Sequence, residues 1–133
     1  MSGIKRDEAD RWFSKVVRLR VNWRCEHCQK QYDESSTGLH CAHIYGRANK
    51  AVRWDLDNAV SLCYACHQKF GANPLDFHAW LHIEHGPGHM ELLNEKRRAI
   101  FKTTTQIRKE IAAHYRQEYR RMTETGDRTP INY

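Results

Sequence analysis

Two cysteine pairs constrain the fold of this chain more than any other feature of its sequence. Cys25 pairs with Cys28 and Cys63 with Cys66, with two residues between the cysteines of each pair. This gap lets both sulfurs of a tight turn reach one tetrahedral ion, so the two pairs predict a closed four-sulfur shell around a structural Zn²⁺. The pairs are 34 residues apart, more than the usual ribbon spacing. We therefore expect the metal to join the two ends of an insertion that carries the chemistry.

Length and charge limit the classes of protein to consider. The chain of 133 residues is predicted to form one domain with helical extensions and a modest core, which a structural metal would help to stabilise. Its net charge of +6 and pI of about 9.2 favour a polyanionic partner such as nucleic acid. A basic protein without such a partner is a common alternative, so charge alone does not decide between the two.

The sequence also indicates a compartment. Residues 1–10 are polar, and no apolar run approaches the roughly 20 residues of a membrane span. We therefore expect a cytoplasmic protein without a membrane partner. In a reducing compartment, cysteines at ligand spacing are metal thiolates rather than disulfides. The fifth cysteine, Cys41, is interpreted as a small buried hydrophobe.

Hydrophobic periodicity predicts helices at both ends of the chain and short strands between them. The last residues, 123–133, are predicted to be polar and frayed. Residues 91–122 predict one long helix or two helices joined near three threonines. The other predicted elements are a helix at 7–20, a strand at 39–45, a second strand at 51–54, a helix at 66–70 and a helix that begins at Pro74.

Two histidines and one asparagine have a characteristic spacing between and beside the cysteine pairs. Fourteen residues separate His43 from Asn58, eight separate Asn58 from His67, and His67 directly follows the second cysteine pair. This pattern resembles the HNH nuclease motif of the ββα-metal (His-Me finger) superfamily over roughly residues 23–70. The resemblance implies an α+β protein with a small zinc-stapled ββα-metal (HNH) core at 23–70. An N-terminal helix at 7–22 and a C-terminal helical extension at 74–122 complete the single domain.

The resemblance also implies a role for each of the three residues. His43 is the general base that takes a proton from water, and its reference pKa near 6.5 permits the neutral form that this needs. Asn58 holds the loop and keeps the base oriented. His67 is a ligand of a catalytic Mg²⁺ or Mn²⁺. Many HNH enzymes have a second ligand just before the base, where this chain has Ala42. Alternate strand residues share a face, so His40 is the candidate replacement.

Basic residues predict how DNA is held. Arg47, Lys50 and Arg53 lie between the two predicted strands and are candidate ligands of phosphate oxygens near the scissile bond. Solvated turn charges are the alternative, above all for Lys50. Residues 1–24 carry seven Lys/Arg against three acids, and residues 95–122 carry nine against three. Both flanks are therefore predicted to position a duplex through its phosphates.

The functional prediction is a metal-dependent HNH endonuclease that hydrolyses DNA phosphodiester bonds, nicking or cutting branched or duplex phage or host DNA. Residues 39–47, 51–54 and 71–73 resemble small bacteriophage enzymes of the Rap (NinG) recombination endonuclease type, which would act in the host cytoplasm. A non-catalytic zinc-ribbon module for DNA binding or scaffolding is the rival prediction, and a nuclease directed at RNA fits the same motif. Monomer and homodimer remain equally open.

Overall fold

The computed structural model describes residues 5–133 as an α+β protein, the class that the sequence predicted. Within these residues, the chain forms five α-helices and a two-stranded antiparallel sheet, and α1 and α2 pack against that sheet. No helix in this part of the chain has both the length and the apolar character that crossing a bilayer requires. The elements in chain order are α1 (Glu8–Leu19), β1 (Leu39–His43), a 3-10 turn (Leu56–Asn58), β2 (Ala59–Cys63), α2 (Tyr64–Ala72), α3 (Pro74–His85), α4 (Pro87–Lys96) and α5 (Thr105–Thr125).

The helix predicted at 7–20 is confirmed as α1, and its start has a clear physical cause. Asp7 accepts a hydrogen bond from the Asp10 backbone N–H, and the Asp10 carboxylate accepts one from the Asp7 N–H. This reciprocal pair is a capping box that satisfies two otherwise unpaired donors at the helix start. The apolar face of α1, including Phe13 and Val16, is buried against α5 and the sheet.

The second strand lies later in the chain than the sequence predicted. β1 pairs with β2, so that Leu39 is opposite Cys63 and His43 is opposite Ala59. The predicted strand at 51–54 was wrong, because these residues form turns. Val52, Arg53 and Trp54 are all buried within those turns, so burial of this segment does not require a strand. In β2 all five residues are buried, so the true strand has no alternating pattern.

The second half of the chain is helical, as predicted. The structure also shows whether residues 91–122 form one helix or two. α2 follows β2 without a loop and contains the helix predicted at 66–70. Pro74 starts α3, where a first-turn proline loses no needed hydrogen bond. The region predicted as one or two helices forms two, α4 and α5. The side chain of Thr104 accepts a hydrogen bond from the Ile107 N–H and starts α5.

The C-terminal tail packs against the domain, so the prediction of a frayed end was wrong. The helix continues to Thr125 and ends at Gly126, which has a left-handed φ of +79°. Beyond it, the Asn132 side chain accepts a hydrogen bond from the Leu56 N–H at 2.8 Å and donates one to Asp55 at 2.9 Å. These partners are more than 70 residues away in sequence, and local polarity gives no sign of such contacts.

Candidate functional site

The four paired cysteines form one cluster, as the spacing predicted. The ligand sulfurs of Cys25, Cys28, Cys63 and Cys66 all lie within 4.8 Å of one another, and none forms a disulfide. A tetrahedral ion with Zn–S bonds of about 2.3 Å places its sulfurs about 3.8 Å apart. The Sγ atoms of Cys28 and Cys63 are 3.7 Å apart, so the cluster has the dimensions of a site that can hold a structural metal such as zinc.

The electrostatics of the cluster also favour a cation. Burial acts against the Cys63 thiolate, but hydrogen bonds from the Cys66 backbone N–H and the neighbouring sulfurs lower the pKa of Cys63 to about 7. Burial and the hydrogen bond with Cys63 raise the pKa of Cys66. Sulfurs this close cannot all ionise unless a positive charge lies between them. His27 Nδ1 is 3.2 Å from Cys66 Sγ, where an N–H donor supports a metal-bound thiolate from outside the ligand set.

Asn58 fastens the long connection between β1 and β2. Its side chain is buried, donates hydrogen bonds to the carbonyls of Tyr45 and Val52, and accepts one from the Tyr45 N–H at 2.8 Å. The Asn58 carbonyl also accepts a hydrogen bond from the Ile44 N–H. All polar groups of this amide are therefore paired with the loop, and the loop keeps one conformation beside the end of β1.

His43, the last residue of β1, has a fixed ring orientation. Its Nε2 is 3.0 Å from the Arg53 carbonyl oxygen. Because a carbonyl only accepts, Nε2 carries the proton and Nδ1 is the unprotonated nitrogen of the neutral ring. One face of the ring stacks on Phe13 with centroids 5.8 Å apart. Burial lowers the pKa of His43 below its usual value, although the hydrogen bond to the Arg53 carbonyl and the charge of Asp10 act in the opposite direction. The ring is therefore suited to accept a proton near neutral pH.

Arg53 does not have the position that its assignment to DNA binding requires. Its side chain is only 2% exposed and forms a forked ion pair with Asp10, with Nε–Oδ1 at 3.0 Å and Nη2–Oδ2 at 2.6 Å. Burial alone would raise the pKa of Asp10, but the hydrogen bonds from Arg53 and Asp7 hold it below its usual value. The prediction of a phosphate contact was therefore wrong for this residue. Arg53 instead fixes the backbone whose carbonyl orients His43.

His40 on β1 and His67 on α2 are in direct contact. Their Nδ1 atoms are 3.0 Å apart, and His40 Nε2 is 3.2 Å from the Thr37 carbonyl oxygen. Burial lowers the pKa of His67, and the neighbouring His40 adds to this shift. Two neutral imidazoles this close share one proton between their facing nitrogens. A cation is an alternative occupant of that position.

One groove of about 670 Å³ brings the predicted residues His40, His43, His67 and Arg47 together. Arg6 and Arg18 also line it. The sequence predicted phosphate contacts for residues 1–24 as a group but did not place these two arginines beside the histidines, since both lie more than 20 residues before His40. The Arg47 side chain is 22% exposed. Its buried Nη1 lies 3.9 Å from Asp10 Oδ2 and has no hydrogen bond to the described residues. Three guanidinium groups around the histidines make the groove a candidate anion site.

Lys50 lies elsewhere. It lines a separate depression of about 90 Å³ together with Phe101 and Tyr133, and its side chain is exposed. Its predicted contact with a phosphate near the scissile bond therefore has no support from the groove of the histidines. Lys50 fits the solvated turn charge that was the alternative.

Comparisons of the chain with protein-family models, with curated proteins and with solved structures each found no match.

Proposed function

We propose that the protein is a metal-dependent HNH endonuclease that hydrolyses DNA phosphodiester bonds. The observation that carries the proposal is the shared groove of His43 and His67, in which the Arg53 carbonyl leaves His43 Nδ1 as a base. The order of β1, β2 and α2, with the base ending β1 and His67 on α2, fits the ββα arrangement that the sequence resembles. The pinned loop at Asn58 fits the orienting role of that asparagine.

The proposed reaction is an in-line displacement at phosphorus. His43 Nδ1 removes a proton from a water molecule, and the hydroxide oxygen forms a bond to the scissile phosphorus. The bond from phosphorus to the leaving sugar oxygen breaks, and that oxygen takes a proton from solvent. The Arg53 carbonyl stabilises the protonated imidazole because it already accepts the hydrogen bond from Nε2.

The histidine pair has the dimensions of a site for the catalytic Mg²⁺ or Mn²⁺. Neighbouring ligands of an octahedral ion at about 2.1 Å lie about 3 Å apart, and the two Nδ1 atoms are 3.0 Å apart. Imidazole nitrogens favour a transition ion over Mg²⁺, so Mn²⁺ is the better candidate. Such an ion would neutralise charge on the phosphate and leaving oxygen. Among residues 5–133, no third His, Cys or acidic side chain joins this pair, which leaves the other positions for phosphate and water.

The guanidinium groups of the groove are the proposed phosphate ligands. Arg6, Arg18 and Arg47 line it. The Nη1 of Arg47 lies 3.9 Å from Asp10 Oδ2 without a hydrogen bond, so it is a donor that an oxyanion would satisfy. Arg18 is held in place because its Nε donates to the Ser14 carbonyl and its guanidinium lies 4.9 Å from the Trp23 ring centre. A fixed donor costs less entropy when it binds the transition state than a mobile one does.

The cysteine cluster is proposed to hold Zn²⁺ and to join β2 and α2 to residues 25–28. Free thiols in such a cluster require a reducing compartment, so we place the protein in the cytoplasm, that of the host if a phage encodes it. Branched or duplex DNA of phage or host is the proposed substrate class, in line with the resemblance to the Rap (NinG) type.

A cleavage assay tests the proposal. Purified protein is incubated with supercoiled plasmid, four-way junction DNA and structured RNA in the presence of Mg²⁺ or Mn²⁺. We expect nicked plasmid with at least one of the two ions. If neither DNA nor RNA is cut with either ion, the rival assignment as a non-catalytic zinc-ribbon module is correct. Faster cleavage of RNA than of any DNA would assign the enzyme to RNA.

A further inference from the structure

A second groove lies on the other flank of α1, where α1 meets α5. It consists of two adjoining depressions of about 520 and 400 Å³, and both Trp12 and Arg116 line each of them. None of the residues that line it also lines the histidine groove, although α1 contributes different residues to both. The assignment proposed so far therefore leaves this groove without a role.

The groove has an excess of positive charge along one face of α5. Four cations of α5 line it: Arg108, Lys109, Arg116 and Arg120. Three acids also line it: Asp7, Glu8 and Glu124. Glu8 is already paired with Arg11 at 2.6 Å. Asp7 is held in the capping box of α1 and lies 3.8 Å from Arg108, so these two charges offset each other. Lys109, Arg116 and Arg120 remain against Glu124. The free charge of the groove is therefore positive.

An aromatic surface lies beside these cations. The rings of Trp12 and Tyr119 are 5.8 Å apart, and Trp12 is half-buried. Lys15 Nζ lies 4.8 Å from the centre of the Trp12 ring. The side chains of Ala112 and Ala113 are small, so the α5 side of the groove leaves room for a flat ring. Aromatic rings within a basic groove are what unpaired bases use for stacking, and this contact tolerates any base.

The spacing of the cations fits a single strand. Arg116 and Arg120 are four residues apart, about 6 Å along the helix axis at 1.5 Å per residue. This is close to two nucleotide steps of about 3.4 Å in a stacked strand. We propose that the groove between α1 and α5 binds a single-stranded segment of nucleic acid, through its phosphates on α5 and its bases on Trp12.

The second groove lies close enough to the histidine groove to hold part of the same DNA during cleavage. This use of the groove rests on the proposed nuclease function. Asp10, Ser14 and Arg18 of α1 line the histidine groove, whereas Glu8, Ala9 and Trp12 line the second one. The exposed residues Arg11 and Lys15 lie on the surface of α1 between the two grooves. A strand that leaves the histidine groove can therefore cross α1 over basic residues and reach Trp12.

Equilibrium binding tests the assignment independently of cleavage. The probes are a fluorescein-labelled oligothymidylate of about 12 nucleotides and a duplex of the same length. All proteins carry His43→Ala and are kept free of added divalent ions and of chelator, so that the cysteine cluster is undisturbed. The groove variant is Arg116→Ala with Arg120→Ala, both exposed positions. The matched control is Arg24→Ala with Arg98→Ala, which removes equal charge from exposed positions outside the groove.

We expect the groove variant to bind the single strand at least about tenfold more weakly than the control does. The slope of log K against log salt should fall by about 1.4, since each lost phosphate contact on a single strand contributes about 0.7. Trp12→Leu should weaken binding without changing the salt slope. Equal affinity of groove and control variants, or an equal loss of duplex binding, would overturn the assignment. If wild-type protein never cuts plasmid but the groove variant loses the oligonucleotide, the nuclease proposal alone fails.

Discussion

The Nε2 of His43 donates a hydrogen bond to the backbone carbonyl of Arg53 at 3.0 Å, across ten residues of sequence. The same Arg53 is held by Asp10 of α1, and the loop between the two residues is fastened by Asn58. The orientation of one imidazole therefore depends on contacts from three separate segments of the chain.

The substitution His43→Ala should lower the rate of plasmid nicking by about 10² to 10⁴, the usual contribution of a general base. Metal content should stay that of the wild type, and the protein should remain folded at the assay temperature. A useful control is His78→Ala, since that histidine is exposed on α3. The variant rates are compared under single-turnover conditions on supercoiled DNA. If the His43→Ala protein cleaves at the wild-type rate, this residue is not the base.

The pH dependence of cleavage should reflect the buried imidazole. His43 acts as a base only when it is neutral, and burial lowers its pKa, so the rate should rise through a midpoint below about 6.5 and then stay level. Burial lowers the pKa of His67 too, so both residues move the acid limb in the same direction.

The same shift affects stability. The native state binds the His43 proton at lower pH than the unfolded chain does, so the stability from the neutral ring is present above the unfolded pKa and lost as the pH falls through the folded pKa. Titration of the His43 ring resonance by NMR separates its pKa from that of His67. A midpoint above the reference value would contradict the burial argument.

Zinc content and stability should change together at the cysteine cluster. Cys63→Ser should reduce bound zinc well below one ion per chain and lower the melting temperature sharply, because metal binding and folding are coupled. Cys41→Ser is the matched control, since Cys41 lies outside the cluster and burial raises its thiol pKa to about 12. Elemental analysis and calorimetry measure the two quantities. Full zinc content with an unchanged melting curve in Cys63→Ser would refute the structural assignment.

Alanine substitutions of Arg47 and Arg53 should have different effects on stability, although the two residues are only six positions apart. Arg53→Ala leaves the buried Asp10 carboxylate unpaired and should lower the free energy of unfolding by about 3 to 5 kcal/mol. Arg47→Ala removes a longer contact to Asp10 at 3.9 Å and should lower the free energy of unfolding by about 1 kcal/mol or less. It should nevertheless weaken cleavage, because the guanidinium lines the groove. Urea unfolding and nicking rates are measured on both proteins. Similar stability of the two variants would show that the Asp10 pair contributes little.

The C-terminal tail should contribute measurable stability. Asn132→Ala removes the acceptor of the Leu56 N–H and should lower the free energy of unfolding by about 1 to 3 kcal/mol. Glu124→Ala, an exposed change on the last turn of α5, should stay within about 0.5 kcal/mol of the wild type. Equal unfolding curves for the two proteins would mean that the tail does not pack in solution.

The parts of the structure that local chemistry determines were predictable. The helix start near Asp7 follows from acidic residues before an apolar stripe, and the start of α3 follows from Pro74. The cysteine cluster follows from the two gaps of two residues. Each of these signals is contained within a few neighbouring residues, so a single sequence is enough to show it.

The sequence predictions were wrong where contacts with distant segments of the chain determine the local structure. Nothing in the sequence near Arg53 indicates that its side chain forms an ion pair with Asp10, 43 residues earlier. All five residues of the strand at 59–63 are buried, so its pattern does not alternate. Val52 and Trp54 are apolar and buried but lie in turns. Asn132 likewise finds its partners across the domain. Sequence periodicity records local pattern, and these three cases depend on tertiary contacts.

Because a single helix, α1, separates the two grooves, the distance between them is fixed. A helix with its side chains is about 10 to 12 Å across, which equals roughly three stacked nucleotides. A strand anchored on Trp12 would therefore present its phosphates to His43 at a constant offset. Mapped cleavage positions should lie a set number of nucleotides from the nearest unpaired base, independent of the sequence around them.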